Sequence, residues 1–301
     1  MTRMDTILAV DVGGTKMLGG ILDREGQCLH QQRCETPAAL GGAAVAQALL
    51  GLVRQLQRWC MDHAGPPLAV GLSVAGVVDP ARACVTDATE AMPGWAGTDL
   101  RAALQPATGA LPVHAINDVH AALLGEHWQG GLRGVHDSAV MLTLGTGLGG
   151  AWMAQGRLQF GARGIAGHWG RTSVREGPEW VTLDQRCSGS GLARLARMRG
   201  VAAADGRAAL QAASEGDAAA QAALAEWIED LAMLLRNLRW TLDPQAIVIG
   251  GGLITARALW WPSLTQALDG LDLAVRPAEL GEHSGLIGAG RWALDSIGRT
   301  G

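Results

Sequence analysis

Two stretches of this chain share one unusual design. ILAVDVGGTKMLGGIL (residues 7–22) and AVMLTLGTGLGGAWMA (residues 139–154) each read as an apolar strand, a glycine-rich turn and a second apolar strand. Period-two patterning with glycine at the turn is the signature of a hairpin. Two such hairpins suggest two similar halves, although the letters match too weakly to define a repeat.

The intervening segments supply the rest of an α/β pattern. The D-R-E-G turn at residues 23–26 leads to a third strand, residues 43–61 carry apolar positions at helical spacing, and PPLAVGLSVAGVV returns to a buried strand. LPVHAINDVHAALLGEHW predicts a short strand ending at Asn117-Asp118 and then a helix. A long amphipathic helix over residues 217–242 is stopped by Asp243-Pro244, and QAIVIGGG follows as a strand opening into glycines. The last segment, SGLIGAGRWALDSI, predicts a helix after a glycine-rich approach. Strands alternating with helices imply an α/β fold.

The turns and strand ends carry the candidate chemistry. Glycines allow backbone N–H groups to approach an anion with no Cβ in the way. Asp11-Val12-Gly13-Gly14-Thr15-Lys16, Gly145-Thr146-Gly147 with Gly149, and Gly250-Gly251-Gly252 are therefore candidates for a nucleotide site. A lone glycine turn is more simply a hairpin turn; three glycine clusters, each after an apolar strand, favour nucleotide. Asp11 could hold magnesium or be a turn residue. Asp118 has two compatible readings: a helix N-cap, or a base that takes a proton from an attacking hydroxyl.

Composition excludes several alternatives. The 301 residues are 48% hydrophobic with a formal net charge of −4, which gives no basic footprint for nucleic acid. MTRMDTILAVDVGG lacks the regions of a signal peptide, and no apolar run reaches the ~20 residues of a membrane helix. A cytoplasmic protein is expected. Five scattered cysteines fit a reducing compartment. Tyr is absent, Phe160 is the only Phe and Lys16 the only Lys, so aromatic bulk rests on Trp and positive charge on Arg.

DVGGT, S-V-A-G-V-V-D (73–79), P-G-W (93–95), I-N-D (116–118), G-T-G-L-G-G, G-A-R-G-I-A-G, the Ser188-Gly189 pair and I-V-I-G-G-G together resemble the ROK sugar kinases over nearly the whole chain. The resemblance implies an actin-like ATPase (ribonuclease H-like) fold, with two α/β domains around a central cleft that holds ATP and sugar. It implies ATP- and magnesium-dependent phosphorylation of a hexose C6 hydroxyl, by a homodimer. By position, Asp118 would be the base, Asn117 a sugar ligand and Asp11 the magnesium partner. The glycines would cradle phosphates and adenosine. The expected division is residues 1–117 plus a C-terminal helix at about 288–301, against 118–287, with a hinge near Asn117.

The chain also departs from the pattern. Where the family usually has a zinc-binding His and three Cys, residues 168–187 hold His168-Trp169-Gly170-Arg171 and no cysteine before Cys187. Structural zinc is expected to be absent, with Trp180 as a candidate anchor of the loop from Arg171 to Arg186. Asp184 aligns with the family's closing Glu, a sugar ligand. His168, within A-G-H-x-G, and A-I-N-D at 115–118 resemble the N-acetylmannosamine branch of the family. His168 and Arg171 are candidate sugar ligands; packing of the loop is the alternative for both. Trp95 and Trp169 are expected to pack, and His120 and His127 to lie on the surface. Ala91 stands where many relatives have a sugar-binding Asn, so glucose, N-acetylglucosamine, another hexose or a sugar acid remain alternatives. So does a non-catalytic sugar-binding regulator.

Overall fold

The computed structural model describes residues 4–298. Contacts divide the chain into two compact units: residues 1–133, 160–166 and 282–301 in the first, 134–159 and 167–281 in the second.

The first unit contains β1 (Ile7–Val12), β2 (Lys16–Leu22), β3 (Cys28–Glu35), α1 (Gly42–His63), β4 (Val70–Val74), β5 (Val77–Asp79), β6 (Cys84–Asp87), α2 (Leu100–Thr108), β7 (Val113–Asn117) and α3 (Asp118–Gln129). Its sheet runs β3-β2-β1-β4-β7, antiparallel across the first three strands and parallel from β1 onward. Central β1 and β4 are buried on both faces, as unbroken apolar runs require. Edge strand β3 alternates exposed and half-buried positions.

The second unit holds β8 (Ala139–Leu144), β9 (Leu148–Ala154), β10 (Arg157–Leu158), β11 (Ser173–Glu176), β12 (Glu179–Thr182), α4 (Leu183–Cys187), α5 (Gly189–Met198), α6 (Gly206–Ser214), α7 (Ala218–Leu242), β13 (Ala246–Gly250), α8 (Trp261–Ala267) and β14 (Ala274–Pro277). Its sheet runs β10-β9-β8-β13-β14 with the same alternation, two antiparallel pairings and then two parallel ones. The two halves expected from the paired hairpins thus share one strand topology.

The last helix, α9 (Ser284–Gly298), belongs to the first unit and packs along α3 and β4. It begins before the expected residue 288, because Gly285, Gly288 and Gly290 are buried helix positions where α9 meets its neighbours. The same packing carries α3 with the first unit, so the contact division falls after Arg133 instead of near Asn117. Residues 299–301 of the expected helix lie outside the described residues.

Tryptophan supplies the large aromatic side chains of the cores in a chain with no Tyr and a single Phe. Trp95 is fully buried and its Nε1–H donates to Ala75 O. Trp227 and Trp260 meet edge to face at 5.6 Å, donating to Ser188 O and Leu253 O respectively. Such pairs add about 0.5–1.5 kcal/mol beyond area burial. Here they also fix two backbone segments that border a glycine-lined cavity. Among the described residues no helix is long and apolar enough to cross a membrane.

Candidate active site

In the first unit the chain brings Asp11 and Asp118 to strand ends of one sheet. Parallel pairing sets Asp11 of β1 opposite Ser73 of β4, and Ser73 Oγ–H donates to Asp11 Oδ1 at 2.5 Å. Gly285 of α9 lies against the same carboxylate; a Cβ there would stand 2.6 Å from Asp11 Oδ1. Burial raises the Asp11 pKa above its ordinary value, opposed by the Ser73 hydrogen bond and the charge of Lys16. Ser73 was missed by sequence reasoning, although a hydroxyl inside the buried run VGLSV was a usable signal.

Asp118 opens α3. The cap is Asn117, not Asp118: Asn117 Oδ1 accepts the N–H groups of Val119 (3.0 Å) and His120 (3.3 Å). Asn117 Nδ2 donates to Gly76 O at 2.8 Å and Asp118 Oδ1 at 2.7 Å. Asn117 is buried, and its Nδ2 donation to Asp118 Oδ1 orients that carboxylate. Burial, and secondly the charge of Asp11, push the Asp118 carboxyl up to about 7. His120, expected on the surface, is fully buried; its ring stacks on Phe160 at 4.8 Å.

The Gly13–Lys16 turn is tight, Gly13 N–H donating to Lys16 O at 3.1 Å, and Gly14 and Thr15 are exposed. Lys16 pairs with Glu282, which also takes Arg33.

Two buried carboxyls, both with a pKa raised by burial and one further raised by the charge of the other, fit a divalent cation. Magnesium is commonly held by one or two carboxylates together with substrate phosphates. Among the described residues no group of three His, Cys, Asp or Glu side chains could hold a metal ion.

In the second unit Gly145, Thr146 and Gly252 line a cavity of about 310 Å³ with Ser190, Arg197 and Arg207. The start of α5 closes onto the loop, Gly189 N–H donating to Gly145 O at 2.8 Å. Arg207 donates to Gly252 O and Thr255 Oγ1, each at 2.8 Å. The other glycines serve its frame. Gly149 is in β9, Gly250 ends β13, Gly251 turns with φ +85° against Leu144 O, and Gly147 faces Asp184. Arg197 and Arg207 belong to no sequence motif; α5 and α6 bring them to the cavity.

His168 is half-buried and precedes a 3-10 turn, Trp169–Arg171, in which Arg171 N–H donates to His168 O at 3.0 Å. Trp169 packs where a side chain on Gly150 would stand, as expected of a packing residue. The segment aligned with the zinc loop is the β11–β12 hairpin. Trp180 does not anchor it: 67% exposed, it carries the Arg175 guanidinium at 5.3 Å from its ring centre. Ion pairs hold the hairpin instead. Arg186 bonds Glu176 and reaches Asp230 at 2.7 Å and Glu226 at 2.9 Å, while Arg194 reaches Glu176 at 2.7 Å. Hydrogen bonds from Arg194, then from Arg186, bring the Glu176 carboxyl down to about 2.

Two sheets of one topology, with a carboxylate pair on one and a glycine cavity on the other, define an actin-like ATPase fold. Residues 7–296 match the model of the ROK family, and the chain belongs to that family. It is 34% identical over 289 residues to a bifunctional enzyme NanE/NanK of Brucella melitensis, a match covering 94% of this chain and 52% of the other. The chain therefore spans about half the length of that relative. It is 30% identical over 296 residues to an N-acetylmannosamine kinase of Escherichia fergusonii, covering 94% of this chain and 97% of that one. A ROK family glucokinase from Streptomyces griseus, solved in complex with glucose and AMPPNP, superposes with a TM-score of 0.78 at 29% identity, over 96% of this chain and 99% of the other.

Proposed function

We propose that this chain is an ATP-dependent kinase acting on the C6 hydroxyl of a hexose or N-acetylhexosamine, with N-acetylmannosamine its first candidate substrate. The observation that carries the reading is Asp118: a carboxylate at a strand end, oriented by Asn117 and raised to about 7, is suited to accept a proton near neutral pH. It would take the hydroxyl proton as the sugar oxygen attacks the terminal phosphate. In the second unit the Gly145–Gly147 loop and Gly250–Gly252 would receive the nucleotide; in the first, Gly13–Thr15 is the candidate phosphate turn and Asp11 the residue that would hold magnesium. Magnesium, when bound, neutralises charge on the phosphates. The named activities of the relatives support the class, and the kinase named for N-acetylmannosamine supports the sugar. A homodimer in the cytoplasm follows from family likeness. A coupled ADP-release assay across hexoses, hexosamines and sugar acids tests the reading. The highest kcat/KM is expected with N-acetylmannosamine; turnover of no sugar would overturn it.

Specificity within the class is assigned to His168. An imidazole can donate or accept a hydrogen bond, whereas the family's usual Glu, when ionised, only accepts. An unpaired buried polar group costs roughly 1–3 kcal/mol, about tenfold to a hundredfold in kcat/KM. His168→Glu is therefore expected to lower activity on N-acetylmannosamine more than on glucose. An unchanged ratio of kcat/KM for the two sugars would leave His168 a packing residue.

A further inference from the structure

Strand β4 is a buried run with one hydroxyl in it. Every residue of Val70–Val74 is buried, and Ser73 is 0% exposed. A hydroxyl taken out of water costs free energy unless it finds a partner. Its partner is Asp11, set directly opposite by the parallel register of β1 and β4, and Asp11 Oδ1 accepts the Ser73 Oγ–H at 2.5 Å. Alanine would fill the same run with no polar group to satisfy, so packing alone does not account for a serine here.

Helix α9 closes over the same place. Gly71, two residues before Ser73 and on the same face of β4, lies beneath that helix; a Cβ there would stand 2.0 Å from Ala289 O. One turn earlier on α9, Gly285 lies against Asp11, where a Cβ would stand 2.6 Å from Oδ1 and 3.0 Å from Oδ2. Two glycines thus lower the helix onto the sheet and its first turn onto the carboxylate. Asp11 is confined by α9 on one side and directed by Ser73 on another.

We propose that Ser73 is a positioning residue for the divalent cation: its hydroxyl fixes the direction in which the Asp11 carboxylate faces the ion. This rests on the reading that Asp11 holds magnesium. Magnesium demands near-ideal octahedral geometry, so a carboxylate free to rotate is a poorer ligand than one held in place.

The test is calorimetric titration of AMPPNP with and without magnesium, read as the factor by which magnesium tightens binding. In Ser73→Ala, with the donor to a charged acceptor gone, that factor is expected to fall about tenfold, while affinity without magnesium changes less than about twofold. Ser73→Thr keeps the hydroxyl and is expected to retain most of the wild-type factor. Asp11→Asn, the control, is expected to abolish it. In kinetics, Ser73→Ala should raise the magnesium concentration needed for half-maximal rate and leave the sugar KM unchanged. A wild-type factor in Ser73→Ala would overturn the proposal, as would equal weakening of AMPPNP with and without magnesium, the mark of a residue that only packs. If Ser73→Ala does not fold, Ser73→Cys decides, because a thiol is a weak donor: a lowered factor supports the proposal and a wild-type one refutes it. If Asp11→Asn keeps the factor, Asp11 does not hold the metal, and the magnesium reading falls together with the proposal.

Discussion

Replacing Asp118 with Asn is expected to lower kcat by about 10²–10⁴, the usual contribution of a positioned general base, while sugar and ATP binding stay largely intact. Near wild-type turnover would refute the mechanism. The ionisation of Asp118 adds two checks. Because the carboxyl is raised to about 7 from an ordinary 3.8, the base form accumulates as pH rises through 7, and wild-type kcat/KM should climb over that window. Stability runs the other way. A carboxyl whose pKa is higher folded than unfolded stabilises the native state below the unfolded value, and that contribution is lost as pH rises toward 7. Asp118→Asn should therefore melt higher than wild type at pH 8, with the gap closing toward pH 4. A variant that melts lower at pH 8 would mean that the carboxylate is held by favourable contacts instead of strained by burial.

Arg186→Ala is expected to cost about 1–3 kcal/mol of unfolding free energy, between an exposed ion pair and a buried one, because the cluster is half-buried. Asp230 would lose its cation, while Glu176 keeps Arg194 and Glu226 keeps Arg199. Urea denaturation of wild type and variant checks this. A loss under about 1 kcal/mol would place the network with ordinary surface ion pairs.

Much of the frame was legible in the letters because it is written locally. Apolar runs broken by glycine at residues 12–16 and 144–148 become the two central hairpins, and I-N-D becomes a strand end and a helix start. What escaped depends on distance in sequence. Leu148 and Asp184 are joined by a hydrogen bond across separate elements, and no spacing rule links them. His120 is buried partly by Phe160, a residue forty positions on that stacks on its ring. The β11–β12 hairpin has four-residue strands with no fully buried position, too short and too polar for periodicity to separate it from a loop. The glycines of α9 argue for a loop by propensity and yield to tertiary packing, which needs small residues where the helix crosses α3 and β4. Asn117 and Asp118 were legible as a strand end and a helix start, but which of them caps α3 was not: the structure gives the cap to Asn117 and the raised pKa to Asp118.

Lys16, set on the turn after Asp11 and paired with Glu282, carries the chain's sole side-chain amine. Acylating reagents that scatter over dozens of sites in most proteins have one internal target here. Its rate of modification, with and without nucleotide, would report on a single loop with no engineered label. The same economy is a hazard at the bench, since coupling the protein to a support through its amines would tether it by the very turn expected to meet the phosphates.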